Sequence, residues 1–261
     1  MEIKNLSYTY PDGTKVFNNL NLDIEDEKIT VLMGESGSGK STLLSLINND
    51  ISPVDGSIDV NSNIGLMLGN PNEQFISKTV KEELEYQLES HNYRLNEKSK
   101  RIKQALIMVG LKSTDDIKDI NELTSREKRL VSLASVLIVN PKVILLDNLT
   151  VSLNDEDKSR IIRLVKMLKN RYHRTIVIAT NDTDSGLKLA DNIVILKEGV
   201  VVSKGDKYSV FKDAKRTKKN MVLEPNTIAF ENKVLDKKKV KLGYRDDIND
   251  LIKDIYRYGK W

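Results

Sequence analysis

The sequence predicts an α/β fold with a parallel-sheet core, and three observations carry that expectation. First, the apolar run Lys28-Ile29-Thr30-Val31-Leu32-Met33 leads into the segment GESGSGKST at residues 34–42, and the chain continues as a helical pattern through Ile47. Second, the apolar runs Val143 to Leu146, Thr175 to Ala179 and Ile193 to Leu196 recur with polar or helical interludes. Strands alternating with helices pair in parallel through crossover connections. Third, the chain opens with three alternating segments, Ile3 to Tyr10, Val16 to Ile24 and Ile29 to Met33, with a Pro11-Asp12-Gly13 turn between the first two. These read as antiparallel strands leading into the core.

The glycine-rich segment is the strongest local signal. Gly34, Gly39, Lys40 and Ser41 satisfy G-x-x-x-x-G-K-[ST] between a strand and a helix N-terminus. In that context the backbone N–H groups of residues such as Ser36, Gly37, Ser38 and Gly39 converge on a polyphosphate. Lys40 would neutralise the β- and γ-phosphates, the Ser41 hydroxyl would ligate Mg²⁺, and Thr42 completes the set. The segment therefore points to a nucleotide such as ATP.

After the first helix, Pro53-Val54-Asp55-Gly56 turns the chain into the strand-like runs Ser57 to Val60 and Ile64 to Leu68. From about 70 to 135 the pattern is helical. Ile102, Leu106, Val109 and Leu111 form one apolar face, with Asn96 and Gly110 as start and stop signals. The expected organisation is a nucleotide-binding domain over 1–216 with an inserted helical subdomain, followed by an extension over 217–261. In the extension Ile248, Leu251, Ile252 and Ile255 mark an amphipathic helix, suited to packing on its own domain or to dimerisation.

Composition excludes several classes. The chain has 261 residues, 39% hydrophobic and 31% charged, with a net charge of +4. Residues 204–261 hold 16 basic and 9 acidic side chains, so the basic character lies in the tail. No organised basic and aromatic nucleic-acid face emerges. The absence of cysteine rules out disulfides and thiolate metal sites and agrees with a reducing compartment. No apolar stretch approaches the roughly 20 residues needed to span a bilayer. His91 and His173 have no nucleophile or carboxylate pairing in sequence and read as ordinary surface or packing residues.

The order of these pieces over residues 1 to about 212 resembles an ABC-type ATPase subunit, specifically those of energy-coupling-factor and cobalt-type importers. Tyr8-Thr9-Tyr10-Pro11-Asp12-Gly13 resembles the adenine-stacking segment, with Tyr10 at the aromatic position. Asn70-Pro71-Asn72-Glu73-Gln74-Phe75 is similar to the segment after the Q-loop, and Ile144-Leu145-Leu146-Asp147 to a Walker B strand. Gly199 and Gly205 bracket a final hairpin. The resemblance implies that Asp147 holds Mg²⁺ through its water shell.

Several positions depart from the family pattern. Asn148 stands where a glutamate would polarise the attacking water, and Asn181 where a switch histidine is usual. An amide holds a water but cannot take its proton, and a general base is worth ~10²–10⁴ in rate. Gly69 occupies the Q-loop glutamine position, with Gln74 five residues on. The signature segment is Leu123-Thr124-Ser125-Arg126-Glu127, lacking both glycines, and Asn154 replaces the usual aspartate of the dimerisation loop. Arg126 could clash with a partner's nucleotide or reach its phosphate.

The resemblance thus implies an ATP- and Mg²⁺-binding importer subunit with impaired hydrolysis of its own. Its implied partners are a second, intact ABC ATPase, in a heterodimer rather than a homodimer, and an integral membrane subunit. Its implied location is cytoplasmic and peripheral on the inner face of the membrane. Two other readings stay open, a soluble regulatory pseudo-ATPase and a P-loop small-molecule kinase.

Overall fold

The computed structural model describes residues 1–93, 98–211, 224–238, 245 and 248–258. Strands β1 (Glu2–Thr9) and β2 (Lys15–Asp23) pair antiparallel, and β1 also pairs antiparallel with β4 (Asp55–Asp59), giving a three-stranded sheet β2-β1-β4. The third opening segment differs. Strand β3 (Ile29–Met33) is buried at all five positions and has no polar face to expose, so it enters the other sheet with neighbours on both edges.

That six-stranded sheet runs β5-β6-β7-β3-β8-β9, from β5 (Ile64–Met67), β6 (Val143–Asp147), β7 (Thr175–Thr180), β8 (Asn192–Lys197) and β9 (Val200–Asp206). Its pairs are parallel except the β8–β9 hairpin. Side chains alternate between two hydrophobic layers. Leu32, Leu145, Val177 and Val194 meet helix α1 (Lys40–Ile47) and the small sheet. Val31, Met33, Ile144, Leu146, Ile176 and Ile178 face the helices on the other side. Helix α1 is thereby enclosed between two sheets, which fixes the loop that precedes it.

Residues 71–137 supply short α2 (Pro71–Gln74), α3 (Val80–Ser90), α4 (Lys98–Val109) and α5 (Ser125–Leu137). In α4, Ile102, Leu106 and Val109 are buried as the periodicity predicts, and Gly110 ends the helix with φ of 97°. The expected start signal Asn96 lies outside the described residues. Helices α6 (Asp155–Tyr172) and α7 (Thr183–Leu189) follow β6 and β7 as crossovers. Among the described residues no helix is long and apolar enough to cross a membrane.

The chain beyond β9 contributes α8 (Asn226–Lys238) and α9 (Ile248–Tyr258), while residues 217–223, 239–244, 246–247 and 259–261 of the expected extension lie outside the described residues. In α9, Leu251 packs inward with Asp254, while Ile248 and Ile252 are exposed. Arg245 ties the two helices: its backbone N–H donates to Glu231 Oε1 at 2.9 Å, and its Nε to Asp254 Oδ2 at 2.7 Å. Glu231 is 3% exposed and its Oε2 has no hydrogen-bond partner among the described residues. Burial raises its pKa from 4.5 to about 7, with Arg245 opposing and Asp254 reinforcing the shift. Above pH 4.5 the unfolded chain releases this proton and the folded chain keeps it to about 7. Stability of this pair of helices therefore falls as pH rises across that window, by up to about 3 kcal/mol. Hydrogen exchange of α8 and α9 from pH 5 to 8, corrected for intrinsic rates, is expected to show this loss. Glu231→Gln should flatten it.

Candidate functional site

The segment 34–39 emerges from β3 and turns into α1 as the sequence predicts. Gly39 takes φ of 101°, and a Cβ there would lie 2.8 Å from the Phe17 ring. A Cβ on Gly34 would lie 2.2 Å from the Leu196 carbonyl oxygen, so the loop rests directly on β8. The turn between β8 and β9 supports it from the same side, with the Gly199 N–H donating to Ser38 O at 3.2 Å. Lys40 is 7% exposed, and its ammonium donates to Gly34 O at 2.8 Å, Glu35 O at 2.7 Å and Ser38 Oγ at 3.2 Å. Burial lowers its pKa and the nearby Asp147 carboxylate opposes that shift.

The loop borders a cavity of about 360 Å³ whose lining includes Tyr10, Gly37, Lys40, Thr42, Asn148 and Asn181. Tyr10 is 37% exposed, meets Tyr8 edge-on at 5.0 Å, and shares a 2.8 Å hydrogen bond between its hydroxyl and Thr42 Oγ1. Its placement suits stacking at the mouth. Ser36 and Ser41 also line the cavity, and Asn181 Nδ2 lies 3.5 Å from Ser36 Oγ. Asn148 has φ of 51° and donates its N–H to Ala179 O at 2.8 Å. Asparagine enters this left-handed region more readily than most residues. Among the described residues the lining holds no aspartate, glutamate or histidine.

A second cavity of about 310 Å³ adjoins the first through Ser41 and Asn148, and includes Gly69, Glu73 and Asp147 in its wall. Asp147 is 6% exposed, and its Oδ1 has no hydrogen-bond partner among the described residues. Burial raises its pKa, offset by the Ser41 hydroxyl, Lys40 and Arg129. A buried carboxylate with an unused oxygen beside a serine hydroxyl is a donor set that fits hydrated Mg²⁺. Glu73 accepts from Asn70 Nδ2 at 2.7 Å and is exposed.

Gly69 lies against that carboxylate: a Cβ there would sit 2.8 Å from Asp147 Oδ2. The glutamine five residues on does not take over the missing side chain. Gln74 Oε1 accepts from the Leu68 N–H at 3.0 Å and Ser132 Oγ at 2.7 Å, and its Nε2 donates to Ser135 Oγ at 2.8 Å. It bolts the end of β5 to α5. Beside it Arg129, unnoticed in the sequence, reaches from α5 to the carbonyls of Leu68 at 3.2 Å, Asp147 at 3.5 Å and Gly69 at 2.7 Å. The only sequence signal was a cation at the edge of the apolar run from Leu130.

The 124–127 segment forms the start of α5, and the side chains of Thr124, Arg126 and Glu127 already have partners. Thr124 Oγ1 accepts from the Glu127 N–H at 3.2 Å and donates to Glu127 Oε2 at 2.8 Å. Glu127 returns to the Thr124 N–H at 3.0 Å and accepts from Lys118 Nζ at 2.7 Å. These bonds, the Lys118 one foremost, hold Glu127 at a pKa of about 2. Ser125 is the first residue of α5, with its side chain exposed. Arg126 is turned onto its own chain, with Nη2 donating to Asp157 Oδ1 at 2.8 Å and Nε to Asp157 Oδ2. Asn154 caps α6 by accepting from the Asp157 N–H at 2.8 Å.

The family model described as "ABC transporter" matches residues 17–151. The energy-coupling factor transporter ATP-binding protein EcfA2 of Clostridium acetobutylicum is 30% identical over 98% of this chain and 93% of its own length. The EcfA protein of Methanocaldococcus jannaschii is 29% identical over 100% of this chain and 98% of its own. Among solved structures, cbiO1 from Clostridium perfringens, part of the ABC transporter complex cbiONQ, aligns with a TM-score of 0.69 at 29% identity over 84% of this chain and 92% of that one. A bacterial ABC transporter cassette solved as a dimer aligns with a TM-score of 0.74 at 27% identity, covering 79% and 98%.

The contact between Gly69 and Asp147 generates a counter-intuitive expectation. Placing a glutamine at 69 should displace the carboxylate rather than improve the site. Gly69→Gln is expected to weaken Mg²⁺-dependent binding of a fluorescent ATP analogue about tenfold, or ~1.4 kcal/mol. Affinity measured with and without EDTA separates this from a general loss of nucleotide binding.

Proposed function

This chain belongs to the ABC transporter family of ATP-binding domains, and from that premise we propose that it is the Mg-ATP-holding subunit of an energy-coupling-factor importer. In this reading the phosphate loop and Lys40 grip the polyphosphate, Tyr10 stacks on the base, and Ser41 with Asp147 hold Mg²⁺ through oxygen ligands and water. The metal supplies charge neutralisation at the β- and γ-phosphates. The chain's own hydrolysis is impaired. The observation that supports this is the cavity lining, where Asn148 and Asn181 present amides beside the phosphate loop; by the family resemblance these are the base and switch positions.

A second line of support comes from the start of α5. A helix N-terminus attracts a phosphate through free N–H groups and the positive end of its dipole. Here the chain's own Glu127 carboxylate sits at that end, the Thr124 hydroxyl is engaged with it, and Arg126 is paired with Asp157. An incoming γ-phosphate from a partner would meet an anion. Both contributions to composite sites are therefore weakened in one chain, which favours a heterodimer with an intact ATPase over a homodimer. Association with a membrane subunit, on the inner face of the membrane, follows the same importer reading. The division of residues into a nucleotide-binding domain with a helical insertion and a C-terminal extension is part of the proposal.

ATPase measurement on the purified complex tests this. Changing the partner's phosphate-loop lysine is expected to abolish turnover, while Lys40→Ala here lowers ATP retention and assembly with a smaller loss of rate. Equal losses from both would sink the asymmetric reading, and a purely soluble complex without a membrane subunit would sink the importer. In a separate variant, Asn148→Glu with Asn181→His should raise turnover at this chain's site. The gain is opposed by ~1–2 kcal/mol of left-handed strain at 148. Glu73→Gln should leave the remaining rate unchanged; a large loss would identify Glu73 as a replacement base.

A further inference from the structure

We infer that Arg129 is a positioning residue that carries the occupancy of the Ser41–Asp147 metal position into helix α5. The inference rests on the Mg-ATP reading above and concerns how that site communicates.

Strands β5 and β6 pair in parallel up to Met67 and Leu146, and there the ladder ends. The next carbonyls, of Leu68, Gly69 and Asp147, are gathered by one guanidinium that belongs to a different element. Arg129 is 4% exposed, and its Nε has no hydrogen-bond partner among the described residues. It forms no ion pair with a carboxylate there; the charge that offsets its burial is Asp147. A buried cation balanced this way is sensitive to any second cation brought to the same carboxylate.

The path is short and rigid. Asp147 faces Ser41 on one side and the Gly69 backbone on the other, too close for a Cβ to intervene. A shift of the carboxylate toward a hydrated divalent cation moves or releases the Gly69 backbone. The Gly69 carbonyl is the shortest of the three contacts to Arg129, and Arg129 lies one helical turn from the start of α5. The helix then transmits the change to residues 124–127, the end that would face a partner. No side chain from position 69 is needed, because the connection runs from the helix to the backbone.

Hydrogen exchange of residues 125–137 measures the communication directly. In the wild-type chain, exchange in this helix should change at least threefold on adding Mg-ATP and remain near the apo rate with ATP and EDTA. Arg129→Met should keep ATP affinity within threefold, measured by calorimetry, and lose the Mg²⁺-dependent change in α5. Arg129→Lys, which keeps the buried charge without the fork, should retain less than half of it and serves where the methionine variant does not fold. A wild-type helix indifferent to Mg²⁺, or a variant with the full wild-type response, overturns the inference while leaving ATP binding intact. Absence of ATP binding by the wild-type chain would overturn the functional reading and this inference with it.

Discussion

The structure depends on β3 being held between two parallel neighbours. Its pairing aligns Met33 with Thr180 on β7 and with Ile195 on β8, so β3 and β7 end at one level and β8 runs on to Lys197. The loop of residues 34–39, the turn at 148 and the residue at 181 all leave the sheet along that edge. Parallel sheets place ligand sites at the carboxyl ends of their strands because the connections, and the N-termini of the following helices, collect there. An antiparallel β3 would have sent the glycine-rich loop to the opposite edge, away from Asp147. The antiparallel sheet contributes from the side, through Tyr10 at the end of β1 and Phe17 beneath Gly39.

The second constraint is electrostatic. Lys40, Asp147 and Arg129 are each buried, and each is offset by at least one of the others. Such a cluster is poor value as a source of stability, because desolvation of charges consumes most of what their attraction returns. Its worth lies in what it accepts. Lys40 alone of the three lines the loop cavity, and its charge is suited to a polyphosphate. The Asp147 oxygen without a partner among the described residues is the acceptor proposed to hold a hydrated divalent cation.

The elements that were legible in the sequence are those encoded by local period and local steric need. Apolar runs of four or five residues gave the central strands, and glycines at positions with positive φ marked the loop and the end of α4. Asp147 was legible because it closes such a run. The pairing direction of β3 was less so: an alternating count over five residues does not distinguish an edge-facing strand from one enclosed on both faces. The partners of polar side chains were least legible. Gln74 is engaged 58 and 61 residues away, Arg129 at 60 and 61, and Arg126 at 31. Sequence left Arg126 with two outcomes toward a partner's nucleotide; within its own chain the neighbouring turn of α6 places Asp157 within reach of it.

The residues that depart from the family pattern are fitted to each other rather than simply missing a function. Gly69 has room only because it lacks a Cβ, and the space a side chain would need is filled by the Asp147 carboxylate. Asn148 occupies a left-handed backbone position that suits asparagine better than glutamate. At the head of α5, losing the two glycines is accompanied by Lys118, Thr124 and Glu127 closing a capping network, and by Asp157 taking the new arginine. A site that had merely decayed would leave buried polar groups unpaired at the altered positions. Among the described residues the orphaned atoms nearest the site, Asp147 Oδ1 and Arg129 Nε, belong instead to the proposed metal position and to the residue that grips the strand ends behind it. The altered surroundings are closed, and the part left open is the part that would hold Mg-ATP.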